Sequence, residues 1–125
     1  MKVNLSDSEW KLMNHLWVHS PMTITELTAD MSQETGWGKN TIITMLSRLE
    51  AKGAISHREG GRAKQYYPLI LREDAALEET KNFLGKVYGG NFGLMMHAMV
   101  ESHTLTQADI AELSAILEQA GGDKT

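Results

Sequence analysis

Two reciprocal capping boxes, a basic Gly-Gly hairpin and a helical tail poor in proline predict a mainly α fold. The order helix, helix, turn, helix, hairpin is that of a winged helix-turn-helix. Here it is an N-terminal domain with a small β-hairpin wing, followed by a three-helix C-terminal region. The 125 residues make one domain, or a small domain with an interaction arm. The pattern places the boundary near Ile70, giving 1–70 and 71–125.

The first helix begins at Ser6-Asp7-Ser8-Glu9. The Ser6 hydroxyl can accept from the Glu9 amide, and Glu9 can reach back to Ser6. Leu5 and Trp10 occupy the two positions of a hydrophobic staple, and Trp10, Met13, Leu16 and Trp17 recur at helical spacing until Pro21 ends the run. A second box, Thr23-Ile24-Thr25-Glu26, opens a short helix with Ile24, Leu27 and Met31 inward. Ser32 to Gly38 reads as a polar turn with two glycines. The third helix runs from Lys39 to Lys52 and stops at Gly53, with Ile42, Met45, Leu46 and Leu49 as its buried stripe. Its other face carries Lys39, Asn40, Ile43, Thr44 and Ser47. Extended runs at 54–58 and 63–68 flank Glu59-Gly60-Gly61-Arg62, a hairpin with a basic tip.

Beyond Pro68 the pattern is helical. Leu77, Thr80, Phe83, Leu84, Val87 and Tyr88 form one stripe, broken by Gly89-Gly90. The segment Phe92 to Val100 is apolar on most sides, through Leu94, Met95, Met96, Ala98 and Met99. A last helix starts near Thr106, presents Ile110, Leu113, Ile116 and Leu117, and ends at Gly121-Gly122. Three helices of one chain cover so apolar a segment poorly, and a second copy covers it well. The expected dimerisation residues are Phe83, Leu84, Val87, Tyr88, Phe92, Leu94, Met95, Met99, Ile110, Leu113 and Leu117.

The net charge of −4 argues against a general polyanion binder, but the charge is unevenly spread. Residues 36–72 hold seven bases and two acids, and residues 73–125 hold three bases and nine acids. A basic middle and an acidic end suggest a phosphate-facing surface and an arm that avoids DNA. No apolar run is long enough to span a membrane, and the start lacks the apolar core of a signal peptide. The chain has no cysteine, which excludes disulfides, thiolate metal sites and a cysteine nucleophile. A cytoplasmic location fits. No paired carboxylates and no Ser-His arrangement stand out, so an enzyme is not expected. Neither a cofactor nor a metal is expected.

The third helix has a buried side and a side free of acids, as a major-groove helix needs. Lys39 and Asn40 lie in its first turn, within reach of phosphate or base edges. Asn40 can pair with adenine, and Ile43 and Thr44 can touch thymine methyls. Arg58, Arg62 and Lys64 on the hairpin would meet the flanking backbone. Arg48 reads as a phosphate contact on helix-face grounds, against a salt bridge to Glu50 or Glu26.

Three stretches carry a likeness to a known family: Ser8-Glu9-Trp10 with Met13-Asn14 and Trp17; Thr41-Ile42 with Thr44 and Arg48-Leu49 up to Lys52-Gly53; and Lys81-Asn82-Phe83-Leu84 with Lys86-Val87-Tyr88-Gly89-Gly90. The chain resembles the penicillinase and methicillin-resistance repressors, a family that includes copper-responsive repressors, from Leu5 to Leu117. The resemblance implies a homodimer whose winged helices bind a palindromic operator on double-stranded DNA and whose C-terminal helices interlock. It places Asn40, Thr41, Ile43, Thr44 and Arg48 on the recognition helix. Relatives carry a basic residue at the position of Ile43, so the operator read here is expected to differ. Antibiotic-responsive relatives are inactivated by cutting an Asn-Phe bond, and His97-Ala98 stands at the matching place. Copper-responsive relatives use a cysteine cluster that this chain lacks. Neither a sensor protease nor a small inducer is singled out as the releasing partner.

Other features have a plainer account. Trp10 and Trp17 fall on the apolar stripe, which predicts core packing over base stacking. Trp37 either packs the turn or lies along the DNA backbone. His15 and His19 have metal-ligand spacing but no third ligand, so a solvated pair near a helix end is expected. Met95, Met96 and Met99, with His97 and His103, read as an adaptable dimer core rather than a copper site. Gly89-Gly90 lacks the lysine and hydroxyl of a phosphate loop. Two other functions stay open: a winged helix that binds only protein, and a repressor released by a small ligand or metal rather than by proteolysis.

Overall fold

The computed structural model describes residues 3–122. In chain order the elements are α1 (Asp7–Val18), α2 (Ile24–Thr35), α3 (Lys39–Ala51), β1 (Ile55–Gly60), β2 (Ala63–Pro68), α4 (Arg72–Tyr88), α5 (Phe92–Glu101) and α6 (Gln107–Gly122). They fall into two compact units, residues 1–80 and 81–125.

In the first unit both expected capping boxes form. Ser6 Oγ accepts from the Glu9 amide at 3.2 Å, and Glu9 Oε1 accepts from the Ser6 amide at 2.8 Å. Thr23 and Glu26 repeat the exchange at 3.1 and 2.8 Å. Such a cap stabilises a helix start by about 1 kcal/mol. The chain between α2 and α3 is shorter than the sequence predicts. Ser32 to Thr35 belong to the helix, because the Ser32 and Thr35 hydroxyls donate to Ala29 and Met31 carbonyls within it. Gly36 then takes a left-handed φ of 71° as the cap. The turn is reduced to Gly36-Trp37-Gly38.

The apolar stripes of α1, α2 and α3 meet in one core. Leu12, Met13 and Leu16 from α1, Leu27 and Met31 from α2, and Ile42, Met45, Leu46 and Leu49 from α3 are all buried. Each fully buried leucine contributes about 1.5–3 kcal/mol. Trp10, Trp17 and Trp37 are half-buried against this cluster, with the Trp10 and Trp17 rings 5.6 Å apart. The Trp17 indole donates to the Ile70 carbonyl at 3.0 Å, tying the segment after the wing to α1.

The wing is one antiparallel pair, in register from Ile55↔Pro68 to Gly60↔Ala63. Glu59 and Gly60 are therefore in the strand, and only Gly61 and Arg62 form the turn. Gly61 has φ 79°, which a side chain would strain. Met22, just before α2, adds a short bridge to Tyr66 through backbone bonds of 3.0 and 2.8 Å. The hairpin is thus anchored to the helices by its second strand and by buried Ile55 and Tyr66.

In the second unit, Gly89 and Gly90 take positive φ after α4, as the break in the stripe suggests. Asn91 caps α5 by accepting from the Leu94 amide at 2.9 Å. Thr106 and Asp109 form a reciprocal cap on α6, with both bonds at 3.0 Å. None of residues 81–121 is buried. Phe83, Val87, Phe92, Leu94, Ile110 and Leu117 of the expected dimerisation set are 37–55% exposed, and Leu84, Tyr88, Met95, Met99 and Leu113 are half-buried.

Candidate nucleic-acid interface

The surface expected to meet DNA is built by α3 and the wing. Burial of Ile42, Met45, Leu46 and Leu49 fixes the rotation of α3. Lys39, Asn40, Thr41, Ile43, Thr44, Ser47 and Arg48 all lie on its exposed side. Residues three and four apart share a face, so Asn40, Thr44 and Ser47 form a polar row with Ile43 beside it. Asn40, Thr41, Thr44 and Arg48, with Met45, line a shallow depression.

The Thr44 hydroxyl donates to the Asn40 carbonyl at 3.0 Å. Its proton is committed, which leaves the methyl group and the oxygen lone pairs to face outward. That side chain can touch a thymine methyl or accept from an exocyclic amine. Gly38, the residue before α3, makes no side-chain cap, and no acid stands in the first turn. An uncapped start beside Lys39 suits a phosphate oxygen.

The bases divide into two groups. Among the described residues, Lys39, Arg48, Arg62 and Lys64 make no ion pair, and Arg58 makes only a 3.4 Å bond to Gln65. Arg58, Arg62 and Lys64 are exposed on the wing. Lys52 is different. Its ammonium lies 2.5 Å from buried Glu9 and 2.7 Å from the Asn4 carbonyl. Its charge is matched inside the protein rather than offered to a ligand.

The acids near α3 are likewise turned to structure. Glu50 accepts from no arginine; its carboxylate pairs with His57 of β1 at 2.6 Å. Neither salt-bridge partner considered for Arg48 is used. His57 also stacks obliquely near Tyr66, with centroids 5.5 Å apart. The Glu50–His57 pair joins the end of α3 to the first strand of the wing.

His15 departs from the expectation of a solvated pair. Its Nδ1 lies 2.6 Å from Asp30 and its Nε2 2.9 Å from Glu34, both on α2. Burial alone would lower its pKa, but the bonds to Glu34 and Asp30 and their charges raise it above 6.5. His19 is exposed at the end of α1. Among the described residues no cluster of three or more His, Asp and Glu side chains is arranged to hold a metal. Trp37 packs against the core, which favours the turn-packing role.

Sequence reasoning missed the Glu9–Lys52, Glu50–His57 and His15–Asp30 pairs. Residue type was visible for each, but pairing across elements depends on helix rotation and strand register. The burial of Glu9 had one local signal, its place in a capping box next to Trp10.

Residues 5–119 match the penicillinase repressor family. The methicillin resistance regulatory protein MecI of Staphylococcus aureus is 32% identical over 92% of this chain and 94% of its own. The penicillinase repressor of Bacillus licheniformis is 35% identical over 92% of this chain and 90% of its own. The solution structure of the monomeric form of B. licheniformis BlaI in complex with the blaP half-operator is similar too. It superposes with a TM-score of 0.52 and 38% identity, covering 58% of this chain and 90% of that one.

Proposed function

From the premise that the chain belongs to the penicillinase repressor family, as a winged-helix, DNA-binding transcriptional repressor, we propose that it acts as a homodimer on a palindromic operator. The observation that carries this is the exposed, acid-free face of α3 beside a wing with three exposed bases. A relative with the same domain, at 38% identity, is known in complex with a half-operator. Residues 1–70 supply the DNA contacts: Lys39, Asn40, Thr41, Ile43, Thr44, Ser47 and Arg48 in the major groove, and Arg58, Arg62 and Lys64 on the adjacent backbone.

Residues 71–125 supply the dimer. A helix apolar on most sides must bury that surface, and none of residues 81–121 is buried in the single chain. A second copy of the same unit provides matching surface, and two-fold symmetry then imposes a palindrome. The protein works in the cytoplasm, where its operator is. No helix of the described residues is long and apolar enough to cross a membrane.

Selection of random duplexes by the purified protein at two salt concentrations tests this. The expected result is enrichment of a palindrome with half-sites about one helical turn, or a multiple, apart. Folded, dimeric protein that enriches nothing and shows no salt-dependent retention would instead indicate a protein-interaction module.

A further inference from the structure

We propose that the hollow bounded by Gly53, Leu69, Leu71, Asp74, Leu77 and Glu78 is a binding site for an organic cation with an apolar body. The hollow lies within the first unit and has a volume of about 470 Å³. Cavities of roughly 300–1,000 Å³ are the size that holds one small ligand. Its apolar wall is not covered within the single chain: Leu69 is 56% exposed, Leu71 63% and Leu77 55%. Three leucines open to water around one concavity gain by covering them with an apolar body.

The polar part of the lining has one sign. Asp74 and Glu78 stand four residues apart on α4 and therefore share a face. Neither makes an ion pair with a described residue, and no basic side chain is among the described lining. Asp74 lies in the first turn of α4, where the helix dipole favours an acid. Glu78 lies beyond that turn, so the dipole does not account for it. Two like charges at this spacing repel, and a cation between them removes the repulsion. An anion would add to it, and a neutral ligand would leave it as it is. The lining thus selects by charge and by apolar bulk together. A bound molecule would rest against Gly53, next to the end of α3, and against the chain leading out of the wing.

Calorimetric titration of the full chain with 4-phenylbutylammonium, 4-phenylbutanol, 4-phenylbutyrate and n-butylammonium tests the site. The phenylbutyl cation is expected to bind about tenfold tighter than the alcohol and than n-butylammonium, with the carboxylate weakest. D74N/E78Q, which changes two side chains at the surface, should bring the cation down to the level of the alcohol. L77W, which narrows the hollow, should weaken both, with an unchanged helical signal showing that the chain is folded. Equal binding of cation, alcohol and anion overturns the proposal. So does no detectable cation binding, or full cation binding by D74N/E78Q. None of these readouts involves DNA, so they stand apart from the operator test.

Discussion

The ammonium of Lys52, one residue past α3, lies 2.5 Å from the carboxylate of Glu9 in the first turn of α1. Glu9 is only 2% exposed, and the same carboxylate oxygen caps the Ser6 amide. Burial would raise the Glu9 pKa. The Lys52 hydrogen bond, the Ser6 amide and the Lys52 charge outweigh it and hold the group below 4.5. One buried oxygen therefore fixes the start of α1 and the end of α3 together.

Breaking that pair should destabilise the winged helix. Lys52→Met leaves a buried carboxylate without its cation and is expected to cost about 2–3 kcal/mol. That is below the range for a fully enclosed pair because the lysine is 38% exposed. Glu9→Gln keeps an acceptor for Ser6 and should cost less. The double variant should be less destabilised than the sum of the two. Because the folded-state pKa of Glu9 is depressed, its contribution is present above the ordinary carboxylate pKa and is lost as pH falls through the folded value. Urea denaturation at neutral and acidic pH reads both effects; strict additivity would show that the two residues are not coupled.

His15 gives stability of the opposite pH sense. Its pKa is raised in the folded state, so its contribution is full below the ordinary value of 6.5 and is lost as pH rises through the raised one. Thermal melts of the wild type should fall over that window, and His15→Gln should flatten the fall. Asp30 and Glu34 are about half exposed, at 44% and 52%, so the gain is that of a surface pair, about 1 kcal/mol or less. An NMR titration of His15 in D30N/E34Q should show the pKa moving down; no movement would remove the carboxylates as its cause.

Arg62 sits in the two-residue turn of the wing and makes no ion pair with a described residue. Arg62→Ala is expected to weaken binding to every duplex alike and to lower the salt slope by about one. Operator titrations over a range of salt concentrations measure it. An unchanged slope would take Arg62 out of the phosphate contacts.

The dimer proposal rests on the open apolar faces of the second unit. Leu94 is 51% exposed and Leu117 55% in the single chain. Leu94→Glu with Leu117→Glu should be harmless to a monomer and should dissociate a dimer. Sedimentation equilibrium is expected to show dimers for the wild type and monomers for the variant. Dimers of equal affinity in both would place the interface elsewhere.

The sequence made the helices legible because their signals are local. A capping box needs four residues, and the stripe of Ile42, Met45, Leu46 and Leu49 needs only helical spacing. That stripe in turn set which side of α3 stays open. The polar turn was overdrawn because Ser32 and Thr35 look like loop residues until their hydroxyls are seen bonding back into α2. Glu9–Lys52 and His15–Asp30–Glu34 were not legible, since each joins helices whose relative rotation no local pattern fixes. Lys52 also shows how a charge count misleads: it adds to the basic middle of the sequence but is spent inside the fold.

The central claim is that the open face of α3 reads base sequence. The most direct measurement is the affinity of N40A/T44A for the selected palindrome and for an unrelated duplex, at fixed salt. Each side chain is expected to contribute about 1–3 kcal/mol of discrimination. The double variant should therefore lose most of its preference for the palindrome while keeping salt-dependent binding to both duplexes. A double variant that discriminates as well as the wild type would contradict the claim.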